Sequence, residues 1–286
     1  MSFITIHNEE LTVQISTFGA ELQSVVGKGG TEFIWEADPD VWDGKAPVLF
    51  PICGSLKEEK YVYDGKEYSL PQHGFASCVE YEVEEKAQDR VTFLYESNEE
   101  TRKCYPFEFA FRVTFSLSGN KLNVDYKVEN KDTKTMYFSA GAHEGYACPE
   151  GYEAYSVVFS ETETLYHTVL EGPLVTDEKI CILENAKELP LEKKYFEIDA
   201  IVIENLKSRK ISLVKRGASK KITLEFSGHD HLLVWTMPEG NYICFEPWTG
   251  LPDRVGSSFL FEEKESITPL SAGEKTTISH SITFEE

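Results

Sequence analysis

The chain contains 286 residues, of which 41% are hydrophobic and 13% aromatic, and it carries a net charge of −21 at pH 7. A chain of this length buries enough surface to fold without disulfides or a structural metal. Its excess of carboxylates argues against a nucleic-acid backbone or an anionic membrane surface as a partner, and it weakens the case for multiply phosphorylated substrates. The simplest role of this charge is solubility.

The sequence predicts a cytoplasmic protein. The segment MSFITIHNEELTV has neither the positive nor the apolar part of a secretory signal. No apolar run approaches the roughly 20 residues that cross a bilayer. The cysteines are scattered without a CxxC pair, as expected of reduced thiols; they are Cys53, Cys78, Cys104, Cys148, Cys181 and Cys244.

Alternating apolar and polar residues predict antiparallel strands along most of the chain. The first hairpin joins residues 61–63 to residues 68–70 around Asp64-Gly65, a type I′ turn signal. The clearest hairpin joins residues 107–117 to residues 122–128 around a Ser-Gly-Asn turn. Its strands place large apolar side chains at every second position, which indicates one buried face.

Similar patterns continue towards the C-terminus. They predict strands at residues 211–215 and 222–226 around a turn at 216–219, at residues 232–237 and 242–245 around a turn at 238–241, and at residues 280–284.

Many short strands joined by turns predict an all-β fold, a large antiparallel β-sandwich or barrel. No fixed-period repeat or linker-like segment divides the chain, so a single domain over residues 1–286 is expected. Helical periodicity is nearly absent. The best helical candidates are short stretches after Asp38-Pro39 and at residues 176–183.

Several catalytic motifs are missing from the sequence. It has no G-x-S-x-G elbow, Walker loop, dinucleotide fingerprint or H-E-x-x-H, which argues against P-loop enzymes and cofactor-dependent oxidoreductases. The pair His229 and His231 has a metal-like spacing on one strand face, but without a visible third ligand a strand entrance is the simpler interpretation. His7, His167 and His280 have polar neighbours and are predicted to be solvated.

Two histidines and two carboxylates remain as candidates for chemistry. His73 and His143 lie beside glycines in loops that follow predicted strands, where sites are common. Asp199 and Glu246 have apolar neighbours, and burial would raise the pKa of each carboxyl and suit a general base. Each of these residues also has a purely structural interpretation; Glu246, for example, would then cap a turn at the end of a strand.

Six segments, in order along nearly the whole chain, resemble the aldose 1-epimerase (galactose mutarotase-like) family, and within it the LacX-type branch. They are APVLFPICG at 46–54, LPQHGFA at 70–76, YPF at 105–107, SAGAH at 139–143, DA at 199–200 and FEPWTGLPD at 245–253. The resemblance implies a large antiparallel β-sandwich, often called a supersandwich, which agrees with the strand pattern.

The resemblance also implies roles for individual residues. Glu246 matches the general base that takes the proton from the C1 hydroxyl of a sugar, and His143 matches the acid that protonates the ring oxygen O5. His73 matches a second histidine that positions the substrate, and Asp199 matches a carboxylate that holds sugar hydroxyls. Further substrate contacts are expected at Gln72, Trp248, Ser55 and Lys57.

Two positions depart from the family pattern. Ser55 stands where the family commonly has an arginine that contacts the sugar, with Lys57 two residues on. Glu144 stands where proline commonly follows the acid histidine. This extra carboxylate either raises the pKa of His143 or points to solvent.

The expected function is therefore that of an aldose 1-epimerase that interconverts the anomers of a free hexose, such as galactose or glucose, without a metal or other cofactor. The expected partner is a small-molecule sugar, with no nucleic acid and no membrane, and the protein is expected to be a monomer or homodimer. The alternatives are a hexose-6-phosphate 1-epimerase, for which six arginines supply little positive charge, a non-catalytic sugar-binding protein, and a glycoside hydrolase that uses Asp199 and Glu246.

Overall fold

A computed structural model describes residues 2–197, 199–218 and 221–286. Regular structure in these residues is almost entirely β-strand. The strands are β1 (Phe3–His7), β2 (Leu11–Ser16), β3 (Leu22–Gly27), β4 (Lys60–Tyr63), β5 (Lys66–Ser69), β6 (Glu82–Lys86), β7 (Arg90–Glu96), β8 (Phe109–Ser118), β9 (Lys121–Asn130), β10 (Met136–Phe138), β11 (Glu144–Ala147), β12 (Tyr155–Glu171), β13 (Leu174–Pro190), β14 (Ile201–Ile203), β15 (Lys210–Lys215), β16 (Lys221–Glu225), β17 (His231–Trp235), β18 (Tyr242–Trp248), β19 (Thr268–Leu270) and β20 (Lys275–Glu285). A short helix, α1, spans Thr101–Cys104, and 3₁₀ turns span Lys57–Glu59, Ala76–Cys78, Tyr152–Ala154, Lys193–Phe196 and Phe261–Glu263.

The strands form two large antiparallel sheets, which confirms the predicted all-β antiparallel architecture. One sheet has nine strands in the order β13-β12-β15-β16-β20-β9-β8-β7-β6, and the other has four in the order β11-β18-β17-β14. Smaller sheets comprise β1-β2-β3, β4-β5 and β10-β19. None of the helices in the described part of the chain is long and apolar enough to cross a membrane.

The predicted hairpins are confirmed. The longest one forms β8 and β9, with Leu117 opposite Leu122 across the turn. The Asp64-Gly65 turn joins β4 to β5 with φ of 50° and 70°, as a type I′ turn requires. The later hairpins form β15–β16 and β17–β18, and the last predicted strand lies inside β20. Ser219 of the predicted turn at 216–219 falls outside the described residues.

Both helix predictions are wrong. Residues 176–183 belong to β13, where pairing with β12 places Ile180 opposite His167 and overrides the local pattern. After Asp38-Pro39 the chain makes one turn, in which the amides of Val41 and Trp42 donate to the carbonyl of Asp38.

The prediction that His280 is solvated is also wrong. Its exposure is 3%. The even-numbered residues of β20 face the core, so His280 shares its face with Ile278, Ile282 and Phe284. His7 is exposed as predicted, whereas His167 is half-buried and accepts the amide proton of Val202 at Nδ1.

The core is rich in aromatic side chains. Phe109 and Phe111 of β8 are fully buried, and the ring of Phe111 stacks on Phe50 with centroids 4.4 Å apart. Tyr105 and Phe138 pack against the same Phe50 ring at about 6 Å. Through Phe50, this cluster holds the 46–54 segment against the nine-stranded sheet.

Candidate active site

A row of side chains crosses one face of the four-stranded sheet. Glu246 of β18 lies opposite Leu233 of β17, which in turn lies opposite Val202 of β14. Glu144 pairs with Phe245, so His143, the residue before β11, comes beside Glu246. Because directly paired residues share a face, the strand register gathers this row on one side of the sheet.

This row forms the floor of a cavity of about 440 Å³. That volume lies within the range of small-molecule sites, roughly 300–1,000 Å³. The lining includes all three predicted catalytic residues and three of the predicted substrate contacts: His73, His143, Glu246, Gln72, Asp199 and Trp248. Segments that are far apart in sequence therefore meet in one site.

His143 and Glu246 form a close pair in the floor of the cavity. Nε2 of His143 lies 3.5 Å from Oε2 of Glu246, and the Glu246 side chain is 2% exposed. Burial raises the pKa of Glu246 well above its ordinary value, and the charges of Asp199 and Glu144 add to this effect. Burial lowers the pKa of His143 to about 3, helped by the neighbouring His73. The surroundings therefore favour an uncharged pair.

His73 is held in the cavity wall by an unusual loop conformation. Its φ is +65° and that of Gly74 is +74°. A Cβ at Gly74 would lie 2.3 Å from the carbonyl oxygen of Phe50, so only glycine fits there. The amide of Gly54 donates to His73 Nδ1 at 3.1 Å, which leaves the proton of the neutral ring on Nε2. Burial lowers the pKa of His73 to about 4.

Trp248 is fixed by the small residues before His143. Its indole Nε1 donates to the carbonyl of Ala142 at 3.0 Å, and its ring lies 5.4 Å from that of His73. A Cβ on Gly141 would lie 2.5 Å from Cδ1 of Trp248. The close approach of this aromatic ring therefore requires glycine at position 141.

Asp199 and Gln72 lie at the more open parts of the cavity. Gln72 is exposed. Asp199 accepts the amide proton of Ala200 at 2.8 Å, and partial burial raises the pKa of its carboxyl. Both side chains offer polar atoms to a hydroxylated ligand.

Two tryptophans that line the cavity were not predicted. Trp42 and Trp235 lie 5.3 and 5.4 Å from the His143 ring and meet each other edge to face. The alternation along β17 places Trp235 on the same face as Leu233, so the strand pattern contained this signal. Trp42 lies in the turn that was predicted to be helical, and nothing in its local pattern indicates the cavity.

Ser55 and Lys57 do not line this cavity. The amide of Lys57 donates to Asp253 Oδ2 at 2.9 Å, and its ammonium lies over the Phe259 ring. Ser55 is buried, and its carbonyl accepts the amide proton of Asp253. Asp253 also pairs with Lys264 at 2.7 Å, so this network braces the loop after Gly54.

Neither expectation for Glu144 is correct. Its carboxylate points away from the cavity into the core, where it is 4% exposed and lies 2.8 Å from His280. It does not raise the pKa of His143, which is lowered.

One group of described residues brings three metal-binding atom types within 4.8 Å of one another: His143, Cys244 and Glu246. Burial raises the pKa of the Cys244 thiol well above its ordinary value, so in the metal-free protein only His143 and Glu246 of this group are suited to proton transfer. We therefore treat His143 and Glu246 as an acid–base pair. The metal-like pair suggested by the sequence, His229 and His231, does not lie on one strand face. His229 precedes β17, whereas His231 belongs to β17 and its Nε2 contacts Ser266 at 3.0 Å.

Comparisons with known proteins identify the family of the chain. A family model described as aldose 1-epimerase matches residues 2–283. The plasmid form of protein LacX from Lactococcus lactis subsp. lactis is 36% identical, over 98% of this chain and 99% of its own.

Solved structures show the same fold. A galactose mutarotase related enzyme from Lactobacillus acidophilus superimposes with a TM-score of 0.95 and 34% identity, over 100% of this chain and 98% of that one. A galactose mutarotase-like protein from Lactobacillus casei ATCC 334 gives a TM-score of 0.94 and 30% identity, over 99% and 100%. The architecture is thus the galactose mutarotase-like sandwich that the six sequence segments implied, and the chain belongs to the aldose 1-epimerase family.

Proposed function

We propose that the protein is an aldose 1-epimerase that interconverts the α and β anomers of a free hexose such as galactose or glucose. The observation that supports this most strongly is the buried His143–Glu246 pair, 3.5 Å apart in the floor of a sugar-sized cavity. Opening a cyclic hemiacetal needs one proton removed from O1 and another delivered to O5, which one base and one acid perform together.

Glu246 takes the proton from O1 while His143 donates a proton to O5, and the ring bond between C1 and O5 breaks. Rotation about C1–C2 and reclosure with the two roles reversed give the other anomer. The first step converts a carboxylate and an imidazolium into a neutral acid and a neutral imidazole. Burial favours this uncharged pair, so the cavity stabilises the ring-opened state relative to the closed, reactive state that carries the carboxylate and the imidazolium.

The remaining cavity residues have roles in binding. Nε2–H of His73 is available as a donor to the substrate, because Nδ1 is occupied by Gly54. Asp199 accepts hydroxyl protons, and Trp248 and Trp42 offer apolar faces to the ring. Hydrogen bonds to the backbone of Gly54 and Ala142 orient His73 and Trp248 in the absence of a sugar, which lowers the entropy lost on binding.

The lining favours a neutral sugar. Among the described residues that line the cavity there is no lysine or arginine, and the net charge of −21 repels a phosphate. A hexose 6-phosphate is therefore expected to react at least ~10-fold more slowly than the free hexose at equal concentration. NMR of freshly dissolved α-anomers, with and without the phosphate, measures these rates. Equal rates would contradict the predicted preference, and a faster reaction of the phosphate would favour the phosphorylated substrate.

A sugar-binding protein without catalysis is the second candidate, favoured by Ser55, which leaves the cavity without the arginine common in the family. Calorimetry and NMR separate the two functions. Saturable binding of galactose or glucose without faster anomer exchange would support the binding protein, whereas faster exchange supports the enzyme.

We also propose a reducing compartment, the cytoplasm, for this protein. All six cysteines are free, and Cys53, Cys148 and Cys244 are buried. Thiols that remain unpaired are typical of proteins in such compartments.

A further inference from the structure

Glu144 is a buried carboxylate that faces away from the cavity. It begins β11 directly after His143, and alternation along a strand points the two side chains to opposite faces of the sheet. An ionisable group buried this deeply is destabilising unless it is paired. Its contacts therefore need an explanation that the chemistry above does not supply.

The partner of Glu144 comes from the other large sheet. Nε2 of His280 lies 2.8 Å from Oε1 of Glu144, and the two side chains are 0% and 5% exposed. His280 belongs to β20, the central strand of the nine-stranded sheet, whereas β11 is an edge strand of the four-stranded sheet. The contact joins the middle of one sheet to the edge that carries the cavity histidine.

The packing of the core does not by itself account for this polar pair. The rings of Tyr126 and His229 lie 5.6 Å from the His280 ring. Glu144 Oε2, His280 Nδ1 and the hydroxyl of Tyr146 have no hydrogen-bond partner among the described residues. Apolar side chains of similar shape would fill the space without unpaired polar atoms, and such replacements are often neutral or stabilising.

Glu144 is also close to the base in the fold. It pairs across the sheet with Phe245, the neighbour of Glu246, and its charge contributes to the raised pKa of Glu246. The other titratable groups that interact with Glu246 are His143, Asp199, Cys244 and Tyr242, and those that interact with Glu144 are His280, Tyr126, Tyr146 and Cys244.

We propose that Glu144 and His280 are a positioning pair, whose hydrogen bond anchors the start of β11 to the opposite sheet and so fixes His143 beside Glu246. The proposal rests on the function proposed above. A proline at position 144 would restrict this backbone through its ring. The cross-sheet hydrogen bond supplies a restriction of the same segment from inside the core.

Two variants and one control test the pair. Glu144→Gln keeps the shape and a hydrogen bond but removes the charge, whereas Glu144→Leu removes both. Glu163→Gln is the control, because Glu163 is another buried carboxylate, bonded at 2.7 Å to Ser208 and absent from the cavity lining.

We expect Glu144→Leu to lower kcat by ~10-fold or more with KM changed less than ~3-fold, since a displacement of about 1 Å can reduce catalysis ~100-fold. Glu144→Gln is expected to restore kcat to within ~3-fold of wild type and to move the acid limb of the pH profile to lower pH, because Glu246 loses a negative neighbour. Glu163→Gln is expected to leave kcat and the acid limb of the pH profile unchanged. Wild-type kcat in Glu144→Leu, or a loss of kcat in Glu144→Gln as large as in Glu144→Leu, would overturn the proposal.

NMR titration separates failure of this proposal from failure of the proposed function. The labelled carboxyl carbon of Glu246 is expected to titrate at lower pH in Glu144→Gln than in wild type, whether or not the wild type accelerates mutarotation. The His143 ring signals should stay in place in Glu144→Gln and move in Glu144→Leu. If the leucine variant does not fold, His280→Phe replaces it, since it keeps a ring beside Tyr126 and removes the hydrogen bond to Glu144. His143 ring signals that stay in place in His280→Phe would contradict the pair.

Discussion

At the scale of single residues, burial opposes charge on both members of the His143–Glu246 pair. The carboxyl holds its proton at higher pH than usual, and the imidazole loses its proton at lower pH than usual. Active sites often keep such groups at the expense of stability. The shifted pKa values of this pair therefore make the stability of the folded protein depend on pH.

Glu246→Gln is predicted to stabilise the protein at high pH. A carboxyl whose folded pKa is raised contributes its full stability below the unfolded value, 4.5, and loses it as pH rises through the folded pKa. The neutral glutamine has no such loss. We expect the thermal midpoint of the variant to exceed that of wild type at pH 8, by roughly 2–4 °C for each kcal/mol, and the difference to shrink towards pH 4.5.

Thermal unfolding at pH 5 and pH 8 checks this prediction. Glu163→Gln serves as the control, because its carboxylate accepts protons from the amide and the hydroxyl of Ser208 and its loss should be destabilising. A midpoint of Glu246→Gln at or below that of wild type at pH 8 would disprove the account of Glu246.

The sequence predicted part of this chemistry at single residues. Glu246 and Asp199 were indicated by their apolar neighbours, and His73 and His143 by glycine-containing loops. The burial of His280 was also readable, because it alternates with Ile282 and Phe284. Its partner was not, since Glu144 is 136 residues away and on another sheet.

At the scale of elements, the segment that leads into β11 sets the position of an aromatic wall. Gly141 lies against Trp248, the last residue of β18, and Ala142 accepts the indole proton. Both contacts depend on the absence of a side chain at position 141. The two strands therefore bring the acid, the base and this aromatic side chain together as one unit.

Gly141→Ala is predicted to displace Trp248 and weaken substrate binding. The added Cβ would lie 2.5 Å from Cδ1 of the indole, and overpacking of this kind is destabilising by about 1–3 kcal/mol. We expect a lower thermal midpoint and a KM for hexose at least ~3-fold higher. Gly256→Ala, whose Cβ meets nothing within 4 Å, is the matched control, and equal behaviour of the two variants would refute the role of Gly141.

Local patterns predicted hairpins better than they predicted isolated elements. The β8–β9 hairpin shows alternation on both strands and a turn between them. Residues 176–183 carry no such pairing signal, and they form a strand because β12 provides the partner. The short helix α1 starts where the Asn98 side chain accepts the amide protons of Glu100 and Thr101, a local contact that periodicity does not detect.

At the scale of the whole molecule, the two cavity histidines, His73 and His143, make the protein less stable at acid pH. Burial lowers the pKa of His73 to about 4 and that of His143 to about 3, from 6.5. As pH falls below 6.5 the unfolded chain binds protons that the folded chain does not. The free energy of unfolding therefore decreases as pH falls from 6.5 to the folded pKa values.

His73→Asn is predicted to reduce this dependence. Asparagine tolerates the positive φ of this position, and its Oδ1 accepts the Gly54 amide proton in place of Nδ1. Urea unfolding at pH 4.5 and pH 7 should show a smaller difference in the free energy of unfolding for the variant than for wild type. An equal difference would contradict the lowered pKa of His73.

The arrangement of the sheets could not be read from the sequence. Alternation identifies a buried face but not the face that it meets, so the order β11-β18-β17-β14 and its packing on β20 arise from contacts between distant segments. Five of the six motif segments contribute residues to the cavity lining, whereas Tyr105 and Phe107 of the sixth lie in the core. The register of the four-stranded sheet explains physically why the segments at 139–143 and 245–253 meet there.

The most direct test of the central claim is exchange NMR between the anomeric protons of galactose and glucose with the wild-type protein, Glu246→Gln and His143→Asn. We predict that the wild type accelerates exchange over buffer and that each variant loses ~100-fold or more, because each removes one of the two proton transfers. Calorimetry on the same samples shows whether the variants still bind sugar. Exchange by Glu246→Gln at the wild-type rate, or no acceleration by the wild type, would contradict the account.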